Sequence, residues 1–295
     1  ERKRVLITGE SKEIYTASTP RIFTTPFYSA YIKIAEGCNH RCAYCAIPYV
    51  RGNYRSRTIE DIKQEVEALA EKGVKEFNII AQDTTYYGRD IYGKPSLVEL
   101  LKELVKIEKV KWLRIQYAYP HTFTDELIDL IASEDKICNY VDLPLQHAHN
   151  DVLKRMRRSD TKESVEALLA KLRERIPGVV IRSSFIVGFP GETDSQYTTL
   201  RNVEKQRFDK VGIFSYSREE GTPAYDMPNQ VDENIMQERY HDLMSLQSKI
   251  SETINIEMEG KVLDVLIEGR DDEQHMAYGR SYREAPDVDG QVFIE

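Results

Sequence analysis

Between residues 30 and 216 the chain alternates short apolar runs with stretches of helical spacing, and nothing else in it restricts the fold as strongly. Strand-like runs fall at residues 30–35, 77–81, 112–117, 140–145, 179–187 and 211–216. Between them, Ile62, Val66 and Leu69 recur at helical spacing until Gly73, after the capping pattern Thr58-Ile59-Glu60-Asp61. Leu97, Leu100, Leu101 and Leu104 do the same over residues 97–107, and further helices are expected at 125–132, 151–156, 163–176 and 195–206. Six such strand-helix units predict an α/β fold with a parallel sheet and crossover helices. A closed barrel of this kind needs about eight units, so the expectation is an open (β/α)6 partial barrel with its reactive groups at the C-terminal ends of the strands.

The flanks read differently. Residues 1–28 mix charge, Thr, Ser and Pro without a period and are expected to be a linker, with one short strand at residues 5–8. A long helix over 232–258 carries Met236, Tyr240, Leu243, Leu246 and Ile250 on one face and stops at Gly260. Short alternating runs at 262–267, 276–278 and 291–294 then predict a small antiparallel β unit, too short to be a complete barrel. A chain that opens on Glu1 is expected to lack upstream sequence.

A net charge of -8, from 41 basic and 49 acidic residues, argues against coating nucleic acid by charge alone, while leaving room for local basic patches. No apolar run approaches the ~18 residues of a membrane span, and no secretory leader opens the chain. Four cysteines, three of them clustered, are a poor disulfide framework and read better as metal ligands in a reducing compartment, which predicts a cytoplasmic protein.

The cluster is Glu36-Gly37-Cys38-Asn39-His40-Arg41-Cys42-Ala43-Tyr44-Cys45, directly after the first strand. The C-x3-C-x2-C spacing of Cys38, Cys42 and Cys45 suits an iron-sulfur cube with one iron left without a protein ligand. Structural zinc with His40 or a distant residue as fourth ligand is the alternative, although zinc sites usually come as two separated pairs. Cys138, beside the strand at 140–145, is expected to be a small packing residue.

With its aromatic Tyr44 before the third cysteine, this loop resembles the radical S-adenosylmethionine (SAM) superfamily. That resemblance implies that the open iron chelates SAM and that electron transfer breaks a C–S bond to give a 5'-deoxyadenosyl radical. Further motifs resemble the superfamily's SAM contacts. Gln82-Asp83-Thr84-Thr85 ends the second strand, where Gln82 and Thr84 are expected near the SAM amino group. In Ile186-Val187-Gly188-Phe189-Pro190-Gly191-Glu192-Thr193, Ile186 would back the adenine and Gly188 would let the backbone approach the ligand. Arg182 and Ser183 are candidates for the SAM carboxylate or ribose, with a solvated surface role for Arg182 as the alternative; Gln146-His147 is a candidate for substrate contact.

Arg51-Gly52-Asn53-Tyr54-Arg55-Ser56-Arg57, Tyr86-Tyr87-Gly88 and Leu143-Pro144-Leu145-Gln146-His147 narrow the resemblance, over residues 25–260, to the methylthiotransferases. Gly279-Arg280-Ser281-Tyr282-Arg283-Glu284-Ala285-Pro286-Asp287-Val288-Asp289-Gly290 is similar to the TRAM segment of the branch that modifies an aspartate of ribosomal protein S twelve, and its acidity suits docking to a basic protein.

The resemblance implies a linker over 1–28 from a missing N-terminal domain, a radical SAM core (a partial TIM-like barrel) over 29–231, a helical connector over 232–259 and a partial TRAM domain over 260–295. It also implies one 4Fe-4S cluster here, a second in the missing domain, two SAM molecules per turnover, and an electron donor such as flavodoxin or ferredoxin. The expected partner is S twelve or the small ribosomal subunit, and the expected state a monomer away from membranes. A tRNA isopentenyladenosine methylthiotransferase is the nearest rival, and a non-catalytic zinc or RNA-binding module is the rival of another class.

Overall fold

The computed structural model describes residues 9, 13–22, 26–273 and 275–295. The strand expected at residues 5–8 lies outside the described residues. In chain order, β1 (Ser29–Lys33) is followed by β2 (Ala35–Glu36), α1 (Ile47–Val50), β3 (Arg55–Ser56), α2 (Ile59–Glu71) and β4 (Glu76–Ile80). Next come α3 (Arg89–Tyr92), α4 (Leu97–Leu104), β5 (Trp112–Ile115), α5 (Asp125–Ser133), β6 (Ile137–Gln146), α6 (Asn150–Arg155) and α7 (Lys162–Arg175). The fold continues through β7 (Val180–Val187), α8 (Asp194–Arg201), β8 (Lys210–Ser215) and the long α9 (Glu233–Ile256). Strands β9 (Leu266–Asp271), β10 (Met276–Arg280) and β11 (Val292–Ile294) form a separate antiparallel sheet.

The main sheet has the order β1-β4-β5-β6-β7-β8, every neighbouring pair is parallel, and β1 and β8 are its edges. This is the open six-stranded arrangement that the alternation predicts. Four crossover helices open on a threonine, Thr58, Thr124, Thr161 and Thr193, whose hydroxyl accepts a backbone N–H of the first turn. Each such cap contributes about 1 kcal/mol. The apolar faces of α2 (Ile62, Val66), α4 (Leu100, Leu101, Leu104) and α5 (Leu127, Ile131) join Phe77, Ile79, Leu113 and Ile115 in one core.

Two expected elements differ. The helix expected over 195–206 stops at Arg201 and tightens into a 3-10 turn, Asn202–Gln206, in which no residue is buried; without an apolar stripe, nothing draws that turn onto the sheet as α-helix. The strand expected over 262–267 begins only at Leu266, because Val262 has no strand to pair with and is 96% exposed. The short pair β2/β3 has too few residues for a periodic signal.

The segment after β10 closes the underside of the main sheet. Arg280 donates to Glu76 Oε2 at 2.6 Å and to Glu268 Oε1 at 2.7 Å. Arg114 donates to Glu76 at 3.2 Å and to the carbonyl of Tyr282 at 2.7 Å, and Arg283 reaches Asp209 at 3.0 Å. Ala285 packs with Cys138, Tyr140 and Val180 at the N-terminal ends of the strands. The acidic groups of this stretch are engaged internally: Asp289 accepts from Tyr140 at 2.6 Å, Glu284 from Ser281 at 2.6 Å, and Asp287 from Tyr31 at 3.0 Å. Its acidity therefore serves intramolecular packing, which corrects its reading as a docking surface.

Glu76 ties this plug to the core. Burial alone would raise its carboxyl, but Arg280 and Arg114 outweigh burial and hold it below its ordinary value of 4.5. A depressed folded value means that the stabilisation is complete above the unfolded pKa and is lost as pH falls through the folded one. The stability gap between wild type and Glu76→Gln in urea unfolding is expected to narrow below about pH 4.5. A gap unchanged down to about pH 3 would contradict the ion pair's role.

Candidate metal and cofactor centre

The loop after β1 is fixed from both sides. β2 and β3 pair through Ala35 with Ser56 and Glu36 with Arg55. Cys38 N–H donates to Gly52 O at 3.1 Å, Tyr54 N–H to Asn39 Oδ1 at 3.0 Å, and Arg41 to both Cys38 O (3.0 Å) and Asn53 Oδ1 (2.8 Å). On the far side, Ala43 N–H donates to Met156 O at 2.9 Å and Ala224 N–H to Ala43 O at 2.8 Å. The stretch from Arg51 to Ser56 thus braces the cysteine loop.

Gly37 makes that brace possible. Its φ is +81°, and a Cβ there would come within 2.2 Å of Asn53 O, a backbone atom that cannot move aside cheaply. Gly37→Ala is expected to cost at least about 2 kcal/mol, from left-handed strain plus the clash. Urea unfolding and the iron bound per chain after reconstitution check this; full iron content with unchanged stability would sink it.

At the C-terminal ends of the first four sheet strands lies a cleft of about 500 Å³, lined by Cys38, Cys42 and Cys45 together with Tyr44, Gln82, Gln146 and Arg158. That volume is in the range of cofactor pockets. Burial is the main force that pushes the Cys38 thiol up to about 11, and the Cys45 thiol is raised for the same reason. A bound cation reverses this preference, since a coordinated thiol is deprotonated. Gln82 Oε1 and Arg158 Nε are buried polar atoms without a partner among the described residues, and both side chains line the cleft. These observations fit a group that carries iron and a polar ligand. Among the described residues no three His, Cys, Asp or Glu side chains are gathered around one point as a single metal ion requires.

His40, the alternative zinc ligand, is otherwise engaged. Its Nε2 lies 2.7 Å from buried Asp83, and its ring stacks on Tyr119 with centroids 4.0 Å apart. Arg158 covers the same tyrosine at 4.1 Å and donates to Pro144 O and Asp160. Tyr117 and Gln146, both on the cleft, hold φ of +58° and +71°. Backbone strain of about 1–3 kcal/mol per residue tends to collect at such sites.

The other expected contacts spread out. Tyr44 and Gln82 line the cleft, and Ile186 packs in the cluster that contains Tyr44 and Phe189. Gly188 sits at φ +75° above Met236 and donates its N–H to Glu192 Oε1 at 3.1 Å. Glu192 also accepts from Arg239 at 2.6 Å and faces His147 Nε2 at 3.0 Å, so His147 is a buried partner of this carboxylate and is not on the cleft. Burial is the main cause of the lowered His147 pKa, partly offset by Glu192.

Thr84, Arg182 and Ser183 do not line the cleft. Thr84 is buried and donates to Gln116 O at 2.9 Å, and Ser183 is buried and donates to Leu143 O at 2.8 Å. Strand alternation sets Ser183 on the face opposite Arg182, Ser184 and Ile186. Arg182 pairs with Asp142 at 3.1 Å and with Asp289 of the plug at 3.7 Å. Cys138 lies in the core at the opposite end of the sheet, as a packing residue. Arg158 and Tyr119 were missed: Arg158 reads as the tail of a basic helix, while Tyr119, just past a strand end, could have been flagged by position.

Residues 32–203 match the Radical SAM superfamily, and the chain belongs to it. Residues 260–295 match the TRAM domain. Among curated proteins, the chain is similar to "Ribosomal protein uS12 methylthiotransferase RimO" of Desulforamulus reducens, with 52% identity over 95% of this chain and 63% of that protein. The protein of the same name from Citrifermentans bemidjiense is 50% identical over 99% of this chain and 66% of its own length. The chain therefore spans just under two thirds of these relatives. Solved structures agree on the fold: the radical SAM methyltransferase TsrM from Kitasatospora setae (TM-score 0.53, 21% identity, 66% of this chain and 38% of that one) and coproporphyrinogen III oxidase HemN from Escherichia coli (TM-score 0.52, 18% identity, 82% and 54%).

Proposed function

We propose that the protein to which this chain belongs is a radical-SAM methylthiotransferase acting on the β-carbon of an aspartate in ribosomal protein uS12. The observation that carries the chemistry is the convergence of Cys38, Cys42 and Cys45 on one cleft with Tyr44 and Gln82. The substrate class follows from the likeness to the RimO proteins. The three cysteines would hold a 4Fe-4S cluster, leaving one iron for SAM. When bound, cluster and SAM supply the one-electron cleavage and the radical, and a second SAM supplies the methyl group.

The chain's own side chains bind and orient. Gln82 Oε1 is suited to accept from the SAM amino group, Tyr44 and Ile186 supply an apolar wall, and Gly188, where a Cβ would strike Met236, lets α9 pack closely against the strand end. Thr84 and Ser183 support the strand ends through their backbone contacts, and Arg182 acts beneath the cleft with Asp142. Tyr117 and Tyr119 restrict water at the rim.

We assign residues 1–28 to a linker, 29–231 to the SAM core, 232–259 to a connector and 260–295 to part of a TRAM unit. A second cluster would belong to an N-terminal domain of the intact protein, with a flavodoxin or ferredoxin as electron donor. Among the described residues no helix is long and apolar enough to cross a membrane, and a cytoplasmic, monomeric enzyme is the corresponding proposal.

Anaerobic reconstitution of the intact protein, followed by mass spectrometry of uS12, tests this reading. About four irons per core cluster, deoxyadenosine release and a mass gain of one methylthio group are expected. Methylthiolation of isopentenyladenosine in tRNA with uS12 unchanged would favour the tRNA branch, and stoichiometric zinc without deoxyadenosine would overturn the enzyme altogether.

A further inference from the structure

A second cleft of about 510 Å³ opens on the side of the molecule away from the cysteines, where α7 ends, the 3-10 turn runs into β8, and the end of α9 meets the plug. Five cationic side chains line it, Arg173, Lys205, Arg207, Lys261 and Arg283, against two anionic ones, Asp209 and Glu257. On a chain of net charge -8 this is a local reversal of sign. Arg283 is paired with Asp209 at 3.0 Å and Arg207 with Glu257 at 2.7 Å. Arg173, Lys205 and Lys261 have no carboxylate within ion-pair distance among the described residues, and all three are exposed.

The backbone gives a second indication. Arg207 closes the 3-10 turn with φ +45°, a left-handed position that favours glycine. Arginine there costs on the order of 1 kcal/mol. Its ion pair with Glu257 is half-exposed on both sides and too weak to offset that strain reliably. A guanidinium kept at a strained position, on the wall of a cleft already rich in positive charge, has the character of a binding group.

We propose that this cleft binds the phosphates of an RNA strand, and so anchors the enzyme beside the ribosomal substrate while the cysteine cleft works at the other end of the sheet. Several cations along one open groove suit a chain of phosphates, and Arg173 and Arg207 can present forked donors to them. The choice of RNA over other polyphosphates rests on the ribosomal reading above. The affinity of the cleft for polyphosphate does not rest on it.

Fluorescence anisotropy with a labelled single-stranded RNA of about 15 nucleotides, titrated with the intact protein over about 50 to 200 mM salt, tests the proposal. Wild type is expected to bind with strong salt dependence. The triple variant R173Q/K205Q/K261Q should bind at least about tenfold more weakly at low salt, with a salt slope smaller by about 2, as loss of three phosphate contacts to a single strand predicts. The control K102Q/K106Q/K109Q removes equal charge from lysines already paired with Glu126, Glu103 and Glu71, and should bind as wild type does. Equal loss in both variants, or no loss in either, would overturn the site. Complete competition by inorganic phosphate at constant ionic strength would make a free phosphate the ligand, and competition by polyglutamate alone would make it an acidic protein; either result overturns RNA. Deoxyadenosine release, read in parallel, should be the same in both variants, which separates this outcome from failure of the enzymatic reading.

Discussion

Cys42→Ala is expected to abolish cluster assembly on the SAM core and to reduce SAM cleavage at least about a hundredfold. Loss of groups that merely orient metal ligands already costs about 10–100-fold, and Cys42 is a proposed ligand. It is buried, lies on the cleft with Cys38 and Cys45, and is spaced from them as a one-thiolate-per-iron cluster needs. Cys138→Ala supplies the contrast. Cys138 is buried among Tyr140, Val180 and Ala285 at the far end of the sheet, so its loss should leave iron and SAM cleavage intact and cost only packing energy. Iron content, the visible absorption of the cluster and deoxyadenosine release read both variants. Full iron and unimpaired cleavage in Cys42→Ala would remove the basis for the assignment.

The second large effect concerns the plug. Arg280→Ala would leave Glu76, whose side chain is wholly buried, with Arg114 at 3.2 Å as its remaining cation and the Ser29 hydroxyl at 2.8 Å as a neutral donor. Breaking a buried ion pair from one side typically costs 3–5 kcal/mol, and the surviving Arg114 contact argues for the lower end, about 3 kcal/mol. For a chain of this size that lowers Tm by about 6–12 °C. The double variant Arg280→Met/Glu76→Leu should recover little of the loss, because it leaves buried Arg114 without its carboxylate, whereas Arg280→Met/Glu76→Leu/Arg114→Met, which removes all three charges, should recover part of it. Cluster content should be unaffected, since the cysteines sit at the opposite strand ends. A Tm change under about 2 °C for the single variant would show that the plug is not held this way.

Much of the architecture was legible because it repeats. A strand-helix alternation sustained over six units specifies a parallel sheet, and threonine caps such as Thr58 mark where its crossover helices begin. The cysteine loop was legible for another reason: three ligands within eight residues need little tertiary help to meet. Residues that reach the cleft from distant strands left no such trace. Arg158 and Tyr119 are separated by 39 positions in sequence and meet at 4.1 Å only because β5 and β6 are neighbours.

Strand faces were the hardest feature to read. Ile186, packed with Tyr44, and Ser183, bonded to Leu143, lie three positions apart and so on opposite faces of β7, and a one-residue shift of register reverses every side chain. Likewise, Asp289 and Glu284 read as surface acids, whereas the plug gives each a buried partner.

Local pattern alone thus determined the open six-stranded sheet, the three-cysteine loop at its first strand end and the antiparallel unit behind it, since periodicity and short spacing survive without knowledge of the fold. Tertiary structure decided which polar groups face the cleft, which seal the underside, and where positive charge gathers on an acidic chain. Those outcomes depend on contacts between residues far apart in sequence, and the energy of a buried charge depends on which partner the fold brings to it.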